Sequence, residues 1–195
     1  MKILAVGAHP DDVALFCGGT LLRAVSGGHE VRTVVYTGGE TRGENRLGEE
    51  EEANKFIGSV RVYMLGLYDG MVVHNAQLVT VIDQLIHDYQ PDLVLSHSDH
   101  DHHQDHKAVF NTIKSANRNW AFNWLTYESY DVRSGFVPNV FVDITDFYER
   151  KLELLKIFKS QQDRWYFQPD VLNARSLGAK VGKYVERFRA EYFAI

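Results

Sequence analysis

Five of the chain's nine histidines fall within the ten positions from His97 to His106, together with Asp99, Asp101 and Asp105. Eight of those ten side chains can therefore bind a metal ion or titrate. A second group, His9-Pro10-Asp11-Asp12, ends the apolar run that begins the chain. Zinc or ferrous iron is held well by two imidazoles and one carboxylate, which leaves positions open for water and substrate. His9 and Asp12 are three residues apart. A strand turning into a helix there lets both side chains reach one atom, and Pro10 fixes the backbone between them. A histidine of the second group would complete the set, and spacing alone does not choose which. Asp11 lies between the first two ligands and can face a bound water instead. Such a water has its pKa lowered to roughly 7, and a nearby carboxylate can take its proton. An H-x-x-D pair alone is a weak signal, and a histidine-rich loop alone can be a solvated turn. The two groups gain weight only if the fold joins them.

The elements that would join them alternate along the chain. Residues 2–8 read as a strand, 12–26 as a helix closed by Gly27-Gly28, and 30–37 as a second strand. Residues 46–57 have helical spacing, and 60–65 read as a third strand. Residues 75–89 place Leu78, Val79, Ile82, Leu85 and Ile86 on one helical face. Pro91 opens a fourth strand over 92–96, and a helix follows over 104–117. Beyond residue 118 the pattern is less regular. Strands are expected at 122–128 and 139–144, and helices at 146–160 and 173–192. This order predicts an α/β fold with a mostly parallel sheet, helices on both faces, and one domain over 1–195. With strand order 3-2-1-4-5, strands 1 and 4 are neighbours and a ligand binds beyond their carboxyl ends. His9–Asp12 and the histidine cluster would meet there.

Composition narrows the function. The chain has 45% hydrophobic and 24% charged residues and a formal charge of −5. That excludes a disordered or fibrous chain and speaks against a nucleic-acid surface, which would be basic. One cysteine, Cys17, gives no disulfide framework and fits a reducing, cytoplasmic setting. No stretch approaches the ~20 apolar residues that span a bilayer. The first βα turn lacks G-x-G-x-x-G, and Asp11 and Asp12 would repel a pyrophosphate there. Gly18-Gly19 reads as close helix–sheet packing, and Glu49–Glu52 as a solvated helix face near a helix start. His97, at a strand end, reads as a supporting group. His100 and His102 read as loop residues, His29 and His87 as polar surface, and His74 as a candidate for the cleft. Trp120, Trp124 and Trp165 read as core or interface.

Ala8-His9-Pro10-Asp11-Asp12, followed by Gly18-Gly19-Thr20, resembles the AHPDD signature of the PIG-L/LmbE-like N-deacetylases. His97, Ser98, Asp101, His103, Asp105 and His106 match the family's second signature. Thr37–Glu40, Arg46-x-x-Glu49-x-x-x-Ala53, Gly66–Gly70, Phe141–Ile144, Lys151 and Ser160-Gln161 extend the resemblance over nearly the whole chain. It implies a Rossmann-like fold and a zinc-dependent hydrolase that removes acetyl from an N-acetylated, N-acetylglucosamine-type sugar. By motif position, His9, Asp12 and His106 would bind zinc, with ferrous iron or another divalent metal as the alternative. Asp11 would be the general base, and His103 would support the oxyanion as a cation. Asp105, Asp101 and His97 would stand behind the ligands and orient them. Arg46 and Asp69 would contact the sugar. The family also suggests a closed homo-oligomer, with the aromatic-rich second half as interface. Val13 stands where the family often has Glu, and Gln104 where Pro is frequent. The competing readings are a metal- or carbohydrate-binding module without turnover, a hydrolase of a non-sugar amide, and an iron-dependent oxygenase.

Overall fold

The computed structural model describes residues 1–40, 46–120, 122–130, 135–177 and 181–192. The first strand, β1 (Lys2–Gly7), is buried along almost its whole length. Such a run is what a parallel strand covered on both faces requires. Its alternate residues separate into two cores. Ile3 and Ala5 pack with Val13, Leu21 and Leu22 of α1 (Asp12–Ser26). Leu4 and Val6 pack with Ile82 and Ile86 of α3 (Ala76–Tyr89) and Val109 and Ile113 of α4 (Gln104–Asn117). The sheet is therefore the middle of three layers.

The remaining strands are β2 (Glu30–Thr37), β3 (Arg61–Leu67), β4 (Leu93–Ser96), β5 (Asn123–Tyr127), β6 (Val140–Asp143) and β7 (Val185–Tyr192). The remaining helices are α2 (Leu47–Ile57), α5 (Tyr148–Leu155) and α6 (Pro169–Ser176). The sheet order is β3-β2-β1-β4-β5-β7-β6. Strands β1 to β5 pair in parallel, and β7 runs antiparallel to both β5 and β6. The expected order 3-2-1-4-5 holds, and the chain reverses direction across the sheet between β1 and β4. The crevice beyond their carboxyl ends is the place where this class of sheet binds ligands.

Two expectations need correction. The helix expected at 173–192 is a short helix, α6, followed by strand β7. Glu186, Arg187 and Arg189 favour a helix by propensity, but Phe188 and its neighbours are captured by ladders on both sides. The glycine pair packs closely as expected, but chiefly on other partners. A Cβ on Gly18 would lie 2.9 Å from Leu154 of α5, and one on Gly19 would lie 2.8 Å from Ile144 beyond β6. Among the described residues, no helix is long and apolar enough to cross a membrane.

Candidate metal centre and active site

The turn from β1 into α1 is unusually constrained. Asp11, the residue before the helix, has φ 103°, which non-glycine residues seldom adopt. Asp12 turns its carboxylate back on the chain. Its Oδ2 accepts the backbone N–H groups of Ala8 at 2.9 Å and His9 at 2.7 Å, and meets His97 Nε2 at 3.0 Å. That oxygen is saturated, so Oδ1 is left to face His106 Nε2 at 3.6 Å.

The second group arrives from the loop after β4. His103 caps α4, and its Nδ1 accepts the Asp105 N–H. Asp101 bridges the loop and the helix. One of its oxygens accepts the His103 N–H at 2.8 Å, and the other meets His106 Nδ1 at 2.6 Å. His106 Nδ1 thus carries the proton, and Nε2 is the bare nitrogen. The same logic fixes His9. Its Nε2 faces Asp105 at 3.2 Å and Asp69 at 3.1 Å, so Nδ1 is the nitrogen left to a metal. Asp105 also accepts N–H groups from Gly70 and Val72, which ties the loop after β3 to the site. His97 stacks on His106 with ring centres 3.7 Å apart.

Three groups that could ligate a metal therefore converge. His106 Nε2 lies 3.2 Å from His9 Nδ1 and 3.6 Å from Asp12 Oδ1, and His9 Nδ1 lies 3.4 Å from the other Asp12 oxygen, Oδ2. A tetrahedral zinc site with bonds of ~2.0–2.1 Å separates its ligands by ~3.3 Å. The separations of His106 Nε2 from His9 Nδ1 and from Asp12 Oδ1, 3.2 and 3.6 Å, fit that requirement. Other sets lie close enough for a metal: His9/His103/His106, Asp12/His97/His106 and His9/Asp69/Asp105. Of their additional members, His97 is engaged by Asp12 and Asp105 by two backbone amides, while His103 commits only Nδ1, to its cap, and its Nε2 is a further candidate donor.

The electrostatics divide the site into ionised and poised groups. Burial alone would lower the His9 pKa, but Asp105, Asp12 and Asp69 outweigh it and hold it well above the usual value, so a metal at Nδ1 would take the place of a proton there. Burial pushes His106 down to about 4, with His97 adding to the effect, so that ring stays neutral. Burial opposes ionisation of Asp12 and Asp101, yet the His106 and His97 rings beside each pull both well below the usual carboxylate range. Asp11 differs. Burial raises it to about 7, against the pull of Arg46 and with the push of Asp12. A carboxyl poised near neutrality can both take and return a proton.

A cavity of about 1130 Å³ opens on this wall. Its lining includes His9, Asp11, Asp12 and His106 together with the aromatic side chains of Phe16, Tyr130, Trp165 and Tyr166. Tyr130 stacks on Tyr166 at 5.5 Å and meets the edge of Trp165 at 6.0 Å. Trp165 is 60% exposed, while Trp124 is core.

Arg46 and Asp69, expected to contact the sugar, line the cavity, and each is also bonded to the residues at the β1–α1 turn. Arg46 donates to the Pro10 carbonyl at 2.8 Å and to Asp11 at 3.0 Å, and Asp69 braces His9. His74 is not in the cleft. It is exposed and bonds to Ser115 of α4. The Glu49–Glu52 run is only partly solvated: Glu49 accepts from Ser160, and Glu50 is 2% exposed beneath Asp11. A run of four glutamates hides which of them faces inward. The i, i+4 pair Glu50 and Asn54, two polar residues flanking the apolar Ala53, was the available signal.

The sequence model of the PIG-L family, described as GlcNAc-PI de-N-acetylase, matches residues 4–117. The chain belongs to this family. A protein of Escherichia coli described as the uncharacterized deacetylase YaiS is 30% identical over 168 residues, covering 81% of this chain and 90% of that protein. The N,N'-diacetylchitobiose deacetylase of Pyrococcus horikoshii, solved with its inhibitor, superposes with TM-score 0.79 at 25% identity, covering 97% of this chain and 83% of that one. The 4-carboxy-2-hydroxymuconate hydratase GalB of Pseudomonas putida superposes with TM-score 0.86 at 19% identity, over 100% and 97% of the two chains. That last likeness concerns the fold alone, because one fold hosts several chemistries. The PIG-L chain is a deacetylase, a hydrolase of amide bonds.

Proposed function

We propose that the enzyme removes the acetyl group from an N-acetylated amino sugar of the N-acetylglucosamine type, using zinc held by His9, Asp12 and His106. The observation that carries this reading is the cavity whose lining brings together His9, Asp12, His106, the poised Asp11 and a cluster of aromatic rings. Zinc bound there supplies Lewis acidity, which polarises the acetamide carbonyl and acidifies water. The chain's own groups do the rest. Asp11 removes the proton of the attacking water. Arg46, bonded to Asp11 Oδ2, fixes the direction of that carboxylate. His103, with Nδ1 committed to its cap, donates through Nε2–H to the oxyanion that forms on the acetyl carbon. Protonated Asp11 then delivers its proton to the leaving amine. Asp101, Asp105 and Asp69 keep His106 and His9 in the tautomers that present a bare nitrogen. The apolar face of a pyranose ring fits against Tyr130, Trp165 and Tyr166.

The test is a panel of N-acetyl amino sugars, including N-acetylglucosamine and diacetylchitobiose, with free amine measured after incubation with zinc-loaded protein. Turnover of at least one sugar is expected. Asp11→Asn is expected to keep zinc and lose about 10²–10⁴-fold in kcat. Hydrolysis confined to non-sugar amides, or a wild-type rate in Asp11→Asn, would overturn the corresponding part of the reading.

A further inference from the structure

Asp11 sits in the left-handed backbone region, at φ 103° and ψ −29°. A non-glycine residue stays there only when its surroundings over-determine it. The determinants come from one face of α2. Arg46, Glu50 and Asn54 stand four residues apart, so a helix stacks them in a row. Arg46 grips the Pro10 carbonyl and the Asp11 carboxylate. Glu50 Oε2 accepts the Asp11 backbone N–H at 3.2 Å. Its Oε1 accepts from Asn54 Nδ2 at 2.8 Å, and Asn54 Oδ1 accepts from Thr33 Oγ1 of β2 at 2.6 Å. A relay of three side chains therefore anchors the Asp11 amide to the central sheet.

A carboxyl is a costly way to fill this space. Glu50 is 2% exposed, and among the described residues no cation pairs with it, since Arg46 is taken by Asp11. Burial raises its pKa to about 7. An aliphatic side chain would occupy the same volume without that cost, but it could not accept the Asp11 N–H.

We propose that Glu50 is the positioning residue of Asp11, holding its backbone in the left-handed conformation that aims the carboxylate into the cavity. The catalytic consequence rests on the reading of Asp11 as the base, while the conformational claim stands apart from it. The test uses the full chain with Glu50→Leu, which keeps the volume and removes the acceptor, and Glu50→Gln, which keeps one acceptor. Glu50→Met serves in the same way as Glu50→Leu if that variant does not fold.

Glu50→Leu is expected to lower kcat by about 10–100-fold, the scale of a reacting group misplaced by an ångström, with KM and bound zinc unchanged. Glu50→Gln should restore most of kcat, because Asn54 can flip its amide to match. In an Asp11→Asn background, Glu50→Leu should cause no further loss, since it acts through Asp11. A crystal structure of Glu50→Leu should show Asp11 relaxed to negative φ. Asp11 remaining near 103° in that structure would overturn the proposal. So would wild-type kcat in Glu50→Leu, an equal loss in the Asp11→Asn background, or a Gln variant as impaired as Leu. If Asp11→Asn alone keeps turnover, the base assignment fails instead, and the φ of Asp11 still decides whether Glu50 holds the turn.

Discussion

On one wall of the cleft, His9, Asp12 and His106 have their outward-facing polar atoms tied to backbone amides or carboxylates, and all three are buried. On the other wall, Tyr130, Trp165 and Tyr166 meet through ring faces and edges, and Trp165 leaves most of its surface in solvent. The first wall stands on the ends of β1 and β4 in the middle of the sheet. The aromatic wall stands on the segment after β5 and a short 3-10 turn, Trp165–Phe167. Reaction chemistry needs atoms held within fractions of an ångström, which central strands and saturated hydrogen bonds provide. Contact with a substrate's body tolerates adjustment, and loops on a rigid scaffold provide that.

If this contrast is right, changes to the first wall should strike metal and kcat, and changes to the second should strike KM. The largest effect is expected from His106→Ala. It removes a donor and strands Asp101, so bound zinc and turnover should both fall, well beyond the ~10–100-fold typical of a supporting residue. Full zinc occupancy in that variant, measured by elemental analysis, would move the ligand role to another histidine. Asp101→Asn should come next. It keeps the shape but weakens the bond that fixes the His106 tautomer, and a loss of about 10–100-fold in zinc affinity is expected by competition titration. Unchanged affinity would mean that the His106 ring is held by packing on His97 alone.

A third prediction concerns the stability cost of the polar wall. The folded pKa of Glu50 is raised to about 7, above the ordinary glutamate value that the unfolded chain shows. Folded Glu50 therefore holds its proton where the unfolded chain has released it, and folding loses stability as pH rises through that window. Relative to Glu50→Gln, the wild type should lose up to about 1 kcal/mol per pH unit between roughly pH 5 and 7. Denaturant titrations at several pH values would read this, and a constant difference between the two proteins would refute it. The smallest effect is expected from Trp165→Ala: a KM increase of about 2–10-fold on a sugar substrate, the scale of one aromatic contact, with kcat unchanged. An equal fall in kcat would show that the second wall takes part in positioning the reacting amide.

How much of this was legible in the sequence varied by region. Strands β1 to β4 and their helices announced themselves because a parallel strand buried on both faces must be apolar throughout. The His9-x-x-Asp12 pair was legible as a candidate because metal binding would constrain residue type and spacing at once. Strand β7 was not, since its partners β5 and β6 lie some 40 to 70 residues back in the chain and its charged residues suit a helix equally well. Trp165 could not be chosen from three tryptophans because exposure at a cavity rim leaves no local pattern.

The sequence by itself thus determined the α/β order, the two His/Asp groups and the family, since these rest on local periodicity and on residues whose chemistry is specific. Tertiary structure decided which nitrogen of each histidine is bare, which glutamate of four turns inward, and what holds Asp11 at positive φ. Those depend on partners brought from other elements: Asp101 from the β4–α4 loop, Asp69 from beyond β3, and Thr33, Glu50 and Asn54 from β2 and α2. A hydrogen bond between residues 39 or 96 positions apart has no signature along the chain. It exists only once the sheet has set β1 between β2 and β4.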